Sequence, residues 1–219
     1  MLRDVSPSVR TSIVAAAAGI ILLAALSAPV SAQWLNYPTP GIPRNADGKA
    51  NLTAPTPRAA DGKPDLQGIW LVDGIRLILD FAQFSGSVPF QPWAEELYNK
   101  RKAEQGLNDP ESQCLPQGTP KMSTLSWEGD TFRVDSNGFS ERMWFDTWGH
   151  PHTEALHVIE RFRRTDFGHM IIDVTIDDPK AYTRPWTATI PTHFLPDTEL
   201  LEFVCAENNL SLQHMIKIK

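Results

Sequence analysis

Between Leu156 and Asp177 the chain alternates apolar and polar side chains, breaks once between Arg164 and His169, and alternates again. A helix brings every third or fourth residue to one side, so a two-residue period commits this stretch to paired strands around a tight turn. Leu156, Val158, Glu160 and Phe162 share one face of the first strand, and Met170, Ile172, Val174 and Ile176 form the apolar face of the second. Matching apolar with apolar sets Phe162 opposite Ile172, Glu160 opposite Val174 and Val158 opposite Ile176. A slip of one residue would set each apolar side chain against a polar one. The same register places Arg161 against Asp173 and His157 against Asp177 on the other face, two pairs of complementary charge. Glu160 is left as a carboxyl among Val158, Phe162, Ile172 and Val174, where burial raises its pKa unless an arginine reaches it.

The rest of the folded region also reads as β. Leu66–Val72 predicts a first strand, and Arg76–Phe81 suits a second. Turn signals at Glu128-Gly129-Asp130 and Ser136-Asn137-Gly138 precede strands over 131–135 and 141–147, and further strands are expected over 186–194 and 200–205. One helix is predicted from Pro92 to about Glu104. Proline suits its first position, the acids Glu95 and Glu96 lie early, Lys100, Arg101 and Lys102 lie late, and Gly106 follows its end. Short strands with repeated turns and one short helix predict a mainly β, antiparallel sandwich or barrel.

Ahead of this region, Arg3 and Arg10 precede an apolar run from Ile13 to Ala28 and a small-residue junction at Val30 and Ala32. That is the pattern of an export signal over residues 1–32, with Gln33 the expected mature start. No second apolar run reaches spanning length, so no membrane span is expected after cleavage. Residues 33–64 read as a proline-rich extended arm. It repeats itself once, Pro43-Arg44-Asn45-Ala46-Asp47-Gly48-Lys49 returning as Pro57-Arg58-Ala59-Ala60-Asp61-Gly62-Lys63, and each Asp-Gly predicts a turn. Residues 65–219 form the expected single domain. With a formal net charge of -6 and no basic stripe, nucleic acid is not an expected partner.

Several clusters bear chemistry. His150, His152 and His157 lie close in sequence, and in an extended segment His150 and His152 point the same way, so with Asp146 or Glu154 they would make a zinc or iron site. A histidine-rich loop bonded to backbone carbonyls is the competing explanation. His157, Asp177, Glu160 and Asp146 would suit proton transfer, one group oriented and another with a shifted pKa; an ordinary cross-strand ion pair is the alternative. Trp70, Trp127, Trp144, Trp148 and Trp186 fall on or beside strands and would either wall a ligand cavity or fill a core. Cys114 and Cys205 in an exported chain are read first as a disulfide, adding roughly 3–5 kcal/mol. No nucleophile elbow, HExxH or phosphate-cradling loop is present.

Longer stretches carry a resemblance. Asp61-Gly62-Lys63-Pro64-Asp65-Leu66-Gln67-Gly68-Ile69-Trp70, Cys114-Leu115-Pro116, Trp127-Glu128-Gly129-Asp130-Thr131, Gly149-His150-Pro151-His152 through Glu160-Arg161-Phe162-Arg163-Arg164, Thr175–Lys180, and Pro196–Leu200 with Cys205 resemble a family of exported bacterial proteins found in acidobacteria and some proteobacteria. The resemblance spans nearly all of the expected mature chain and assigns no reaction. Family members are similar but longer between Cys114 and Trp127, where residues 121–126 here bridge the gap, so the resemblance implies an incomplete barrel with exposed edges. Gly68-x-Trp70 also resembles the opening of lipocalins, which favours a lipocalin-like barrel over a sandwich.

The expectation is a periplasmic or secreted β-barrel-like domain that binds a small apolar or aromatic molecule. Trp70, Trp144, Phe162 and Trp186 would line the pocket, and Glu160 with Arg161 or Arg184 would orient the ligand. That reading needs no cofactor. The rivals are an acid–base or metal-dependent lyase, isomerase or hydrolase centred on Asp146, His150, His152 and His157, and a structural envelope protein whose arm docks a partner.

Overall fold

The alternating stretch folds back on itself as the period requires. His157–Arg164 pairs antiparallel with His169–Asp177, with Phe162 opposite Ile172, Glu160 opposite Val174, Arg161 opposite Asp173 and His157 opposite Asp177. The computed structural model describes residues 38–74, 80–110 and 120–200. Its elements are β1 (Trp70–Val72), a 3-10 turn at Phe81–Phe84, α1 (Pro92–Ala103), β2 (Met122–Glu128), β3 (Thr131–Asn137), β4 (His157–Arg164), β5 (His169–Asp177) and β6 (Trp186–Phe194). All six strands lie in one antiparallel sheet of order β1-β6-β5-β4-β3-β2.

The expected barrel is corrected to an open sheet. Its edges, β1 and β2, do not pair with each other. β1 makes only three pairs with β6 before Asp73 and Gly74 turn the chain away. Residues 121–126, expected as a bridge, supply most of β2 (Met122–Glu128), all seven residues of which pair with β3. Conversely, 141–147 is a run of turns and not the expected strand. The Asp146 carboxylate accepts the N–H groups of Phe81 and His150, which holds the segment as a loop against the 3-10 turn. Cys114, Cys205, the expected export signal, most of 76–81 and nearly all of 200–205 lie outside the described residues.

Cross-strand partners share a face, so the register orders the side chains into rows. On one face Ile190, Ile172, Phe162, Phe132 and Trp127 form a row, and Ala188, Val174, Glu160, Val134 and Leu125 the next. A third runs Trp186, Ile176, Val158, Ser136 and Ser123. The β5–β6 ends of these rows are covered. Ala94 of α1, Ala181, Tyr182 and Leu156 pack on Val158, Val174, Ile176, Trp186, Ala188 and Ile190, with Phe81, Phe84, Phe90 and Phe145 around them. Ile176 and Leu156 are essentially sealed from water, each contributing about 1.5–3 kcal/mol. At the β2–β3 ends the middle row is open, with 62% of the Leu125 surface exposed, whereas Ser136 of the third row is buried.

The Gly68-x-Trp70 pair has a local cause. Gly68 sits at φ 128, and a Cβ there would lie 2.3 Å from the Phe194 ring. Trp70 packs edge-on against Phe194, its Nε1–H donates to the Leu66 carbonyl, and the Arg164 guanidinium lies over its face. A smaller core of Ala54, Phe167 and Phe194 forms beside it, with Ile42 and Leu52 of the arm. The arm is held by backbone bonds, Phe167 N–H to Ala54 O (2.8 Å) and Gly168 N–H to Leu52 O (2.7 Å). Its two repeats build the same turn. Arg44 pairs with Ala50 and Arg58 with Pro64 as isolated bridges, and each arginine donates to the carbonyl of its own Gly48 or Gly62. Each then grips a distant carboxylate, Asp197 for Arg44 and Asp130 for Arg58. No helix among the described residues is long and apolar enough to cross a membrane.

Candidate functional site

Two places concentrate chemistry, one under the covered half of the sheet and one on its open half. The first is the loop 144–151. Gly149 takes φ 76, and a Cβ there would strike Arg101 and Trp144. Arg101 lies over the Trp144 ring and donates to the Gly149 carbonyl, which fixes the loop on α1. Within the loop the Asp146 carboxylate accepts the Phe81 N–H (3.0 Å), the His150 N–H (3.1 Å) and a bond from His150 Nδ1 (2.6 Å). Both side chains are fully buried.

The imidazole of His150 is enclosed by rings, with Phe90 stacked at 5.6 Å, Tyr98 at 4.3 Å and Trp186 at 5.6 Å between centroids. A carboxylate on Nδ1 holds the proton there and leaves a lone pair on Nε2. That Nε2 has no hydrogen-bond partner among the described residues, and neither has Trp186 Nε1. Tyr182 closes the chamber and donates to the Pro151 carbonyl at 2.8 Å. Burial, with the charges of Asp146 and Asp178, pushes its phenol pKa far up, so it stays neutral. Asp80 completes the group from the other side. Its Oδ1 caps the 3-10 turn by accepting the Ala82 N–H, and its Oδ2 lies 3.7 Å from Lys102 Nζ. One ligand atom each from Asp80, Asp146 and His150 lie within 4.8 Å of one another, an oxygen-and-nitrogen set of a kind that can hold a divalent cation.

This is not the expected three-histidine site. His150, His152 and His157 turn to three separate partners. His152 Nδ1 is 3.3 Å from the Thr153 carbonyl oxygen and the ring meets Phe139 edge-on. His157 lies on the opposite face of β4, where its Nε2 bonds Asp135 Oδ1 at 2.5 Å. That bond, chiefly, holds the Asp135 carboxyl below its ordinary range. Although His157 faces Asp177 and Arg161 faces Asp173 in register, His157 bonds Asp135 and Arg161 bonds Glu128 (3.0 Å), while Asp173 accepts from Thr189. Asp80 carries no sequence signal, since only the fold brings it to Asp146. Asp178, which holds the Thr153 N–H and hydroxyl, had one in the Asp177-Asp178-Pro179 turn.

The second place is the open half of the sheet face. Trp127, Phe132 and Phe162 run side by side across β2, β3 and β4, with centroids 5.1 and 6.3 Å apart. In the next row Glu160 stands between Val134 and Val174. Its carboxyl has no hydrogen bond or ion pair among the described residues, and burial alone raises its pKa. The expected ligand-orienting arginines do not reach it. Arg161 is on the other face with Glu128, and Arg184 is exposed in the loop before β6. Nor do the expected pocket aromatics meet. Trp70 belongs to the Phe194 core, Trp144 to Arg101 and Trp186 to the His150 chamber, so of those four only Phe162 borders the open face.

Comparison of the chain with family models, with curated proteins and with solved structures finds no match to any of them, so the reading of both places rests on their own geometry.

Proposed function

We propose that the protein is an exported bacterial binder of a small apolar or aromatic molecule, which lies on the open half of the sheet face. The observation that carries this is the row Trp127–Phe132–Phe162. It continues the core row of Ile172 and Ile190 beyond the cover of α1 and the 3-10 turn, ending beside an exposed Leu125. An aromatic surface of this kind, its rings tilted 53° and 46° to one another, gains from covering by another apolar body. Residues 1–32 supply the export signal in this reading, and the periplasm or exterior is the site of action.

The test is titration with N-phenyl-1-naphthylamine, followed by its fluorescence. Saturable binding that weakens at least about tenfold in Phe132→Ala supports the surface, a loss of about 1.4 kcal/mol. Binding unchanged in Phe132→Ala and Leu125→Asp places the ligand elsewhere, and no response from a panel of apolar compounds ends the reading.

A second reading is favoured by the convergence of Asp80, Asp146 and His150, as a centre for zinc or ferrous iron. Two carboxylates and one imidazole suit either ion and leave positions for a substrate or water, which a bound cation would polarise. The fit has a condition. His150 Nε2 has no partner among the described residues, so the condition is that Lys102 leaves Asp80. Zinc or ferrous iron should then raise the melting temperature of the wild type and not that of Asp80→Asn. A melting temperature indifferent to either ion removes this reading.

A further inference from the structure

We infer that the molecule bound on the open sheet face carries a basic nitrogen, and that Glu160 is the group that meets it. This rests on the proposed binding surface and adds the chemistry of its occupant.

Position 160 lies in a row whose other members are Ala188, Val174, Val134 and Leu125. A valine or leucine would complete that row at no desolvation cost. A carboxyl there is penalised in the free protein, because it loses water and gains no donor among the described residues. Groups in such a position are offset by a partner that arrives from outside, and the partner must be a donor or a cation. Two described cations beside these rows are already engaged. Arg164 donates to the carbonyls of Asp65, Asp166 and Phe167 and covers Trp70. Lys63 donates to the Gly129 carbonyl at 3.0 Å, with its ammonium 5.8 Å from the Trp127 centroid. Arg133 and Arg161 belong to the opposite face, bound to Asp135 and Glu128.

Two further observations select an amine over a neutral donor. The faces of Trp127, Phe132 and Phe162 attract a cation held beside them. The net charge of -6 draws cations toward the protein and repels carboxylates. The occupant is therefore an aromatic or lipophilic amine, its apolar body on the aromatic row and its ammonium in an ion pair with Glu160. On binding, the pair keeps the carboxylate ionised and any proton that Glu160 held is released to solvent.

The experiment compares 2-(2-naphthyl)ethylamine with 2-(2-naphthyl)ethanol, alike in size and ring system, by calorimetry at pH 7 on wild type and Glu160→Gln. The amine should bind the wild type at least about tenfold tighter than the alcohol. In Glu160→Gln the two should converge, with the alcohol's affinity little changed. Equal affinities in the wild type overturn this inference and leave the apolar surface standing. A preference for the amine that survives in Glu160→Gln also overturns it, because the selectivity then comes from another group. If neither compound binds, the proposed surface and its occupant fall together.

Discussion

Asp146 and Glu160 are both carboxyl groups withdrawn from water, and the fold treats them in opposite ways. Asp146 receives two backbone N–H groups and an imidazole nitrogen. Glu160 receives nothing from the described residues, and its pKa rises by burial. The desolvation cost is of the same kind for both, and only the donors differ. The carboxyl with donors ties a loop, a 3-10 turn and an aromatic chamber together. The carboxyl without them weakens the free protein and is left available to a ligand.

The largest effect expected from breaking this contrast is at Asp146. Asp146→Ala strands two backbone N–H groups and His150 Nδ1 inside the core, and should lower the unfolding free energy by about 3–5 kcal/mol in urea denaturation. Asp146→Asn retains one carboxamide oxygen as acceptor and should lose less. If the alanine variant unfolds at the wild-type midpoint, the pairing around Asp146 is not what holds the loop.

Glu160→Gln should act in the other direction and by less. The folded-state pKa of Glu160 lies above its unfolded value. The native state therefore binds more protons than the unfolded state between those two values, and stability falls as pH rises through them. Glutamine removes that loss. The variant should melt higher than the wild type at pH 7, and the gap should close as pH drops to about 4, near the ordinary glutamate value. A wild type that is the more stable of the two at pH 7 would mean that a donor reaches Glu160 after all.

Much of this contrast can be read from sequence on one side and not on the other. Glu160 is legible because strand pairing is local. A two-residue period and a short turn set the register, and the register names the neighbours Val174, Val158 and Ile172. Asp146 is legible only as one carboxylate near three histidines. Its partner Phe81 and its neighbour Asp80 lie more than sixty residues earlier, and no periodicity links them. The expected strand over 141–147 fails for a related reason, since Asp146 ties that segment as a loop by accepting the N–H of distant Phe81 as well as that of His150. Failure to close follows only from the resemblance, through the short stretch between Cys114 and Trp127, and not from the strand periodicity. Hairpins determine which strands are neighbours, whereas closure depends on whether the terminal strands β1 and β2 reach each other. The metal-type cluster inherits both limits, so the sequence offers His150 and Asp146 and then adds His152, which the loop turns to Thr153, and His157, which the pleat of β4 sends to the other face.

The smallest effect expected separates pairing from burial. Arg58 holds Asp130 by two bonds of 2.7 and 2.6 Å, as short as the bond from His150 to Asp146. Both side chains are about half exposed. If bond length set the energy, Arg58→Ala would cost as much as losing the Asp146 pair. If desolvation sets it, water replaces the arginine and the cost nearly vanishes, because an exposed ion pair gains little over its hydrated parts. The second outcome is expected: Arg58→Ala should keep the melting temperature of the wild type at low and at high salt. The arm should also stay protected from limited proteolysis, since the backbone bonds of Leu52 and Ala54 to Gly168 and Phe167 remain. A clear drop in melting temperature, abolished by salt, would show that the turn repeats anchor the arm electrostatically, and would narrow the distinction drawn between Asp146 and the surface pairs.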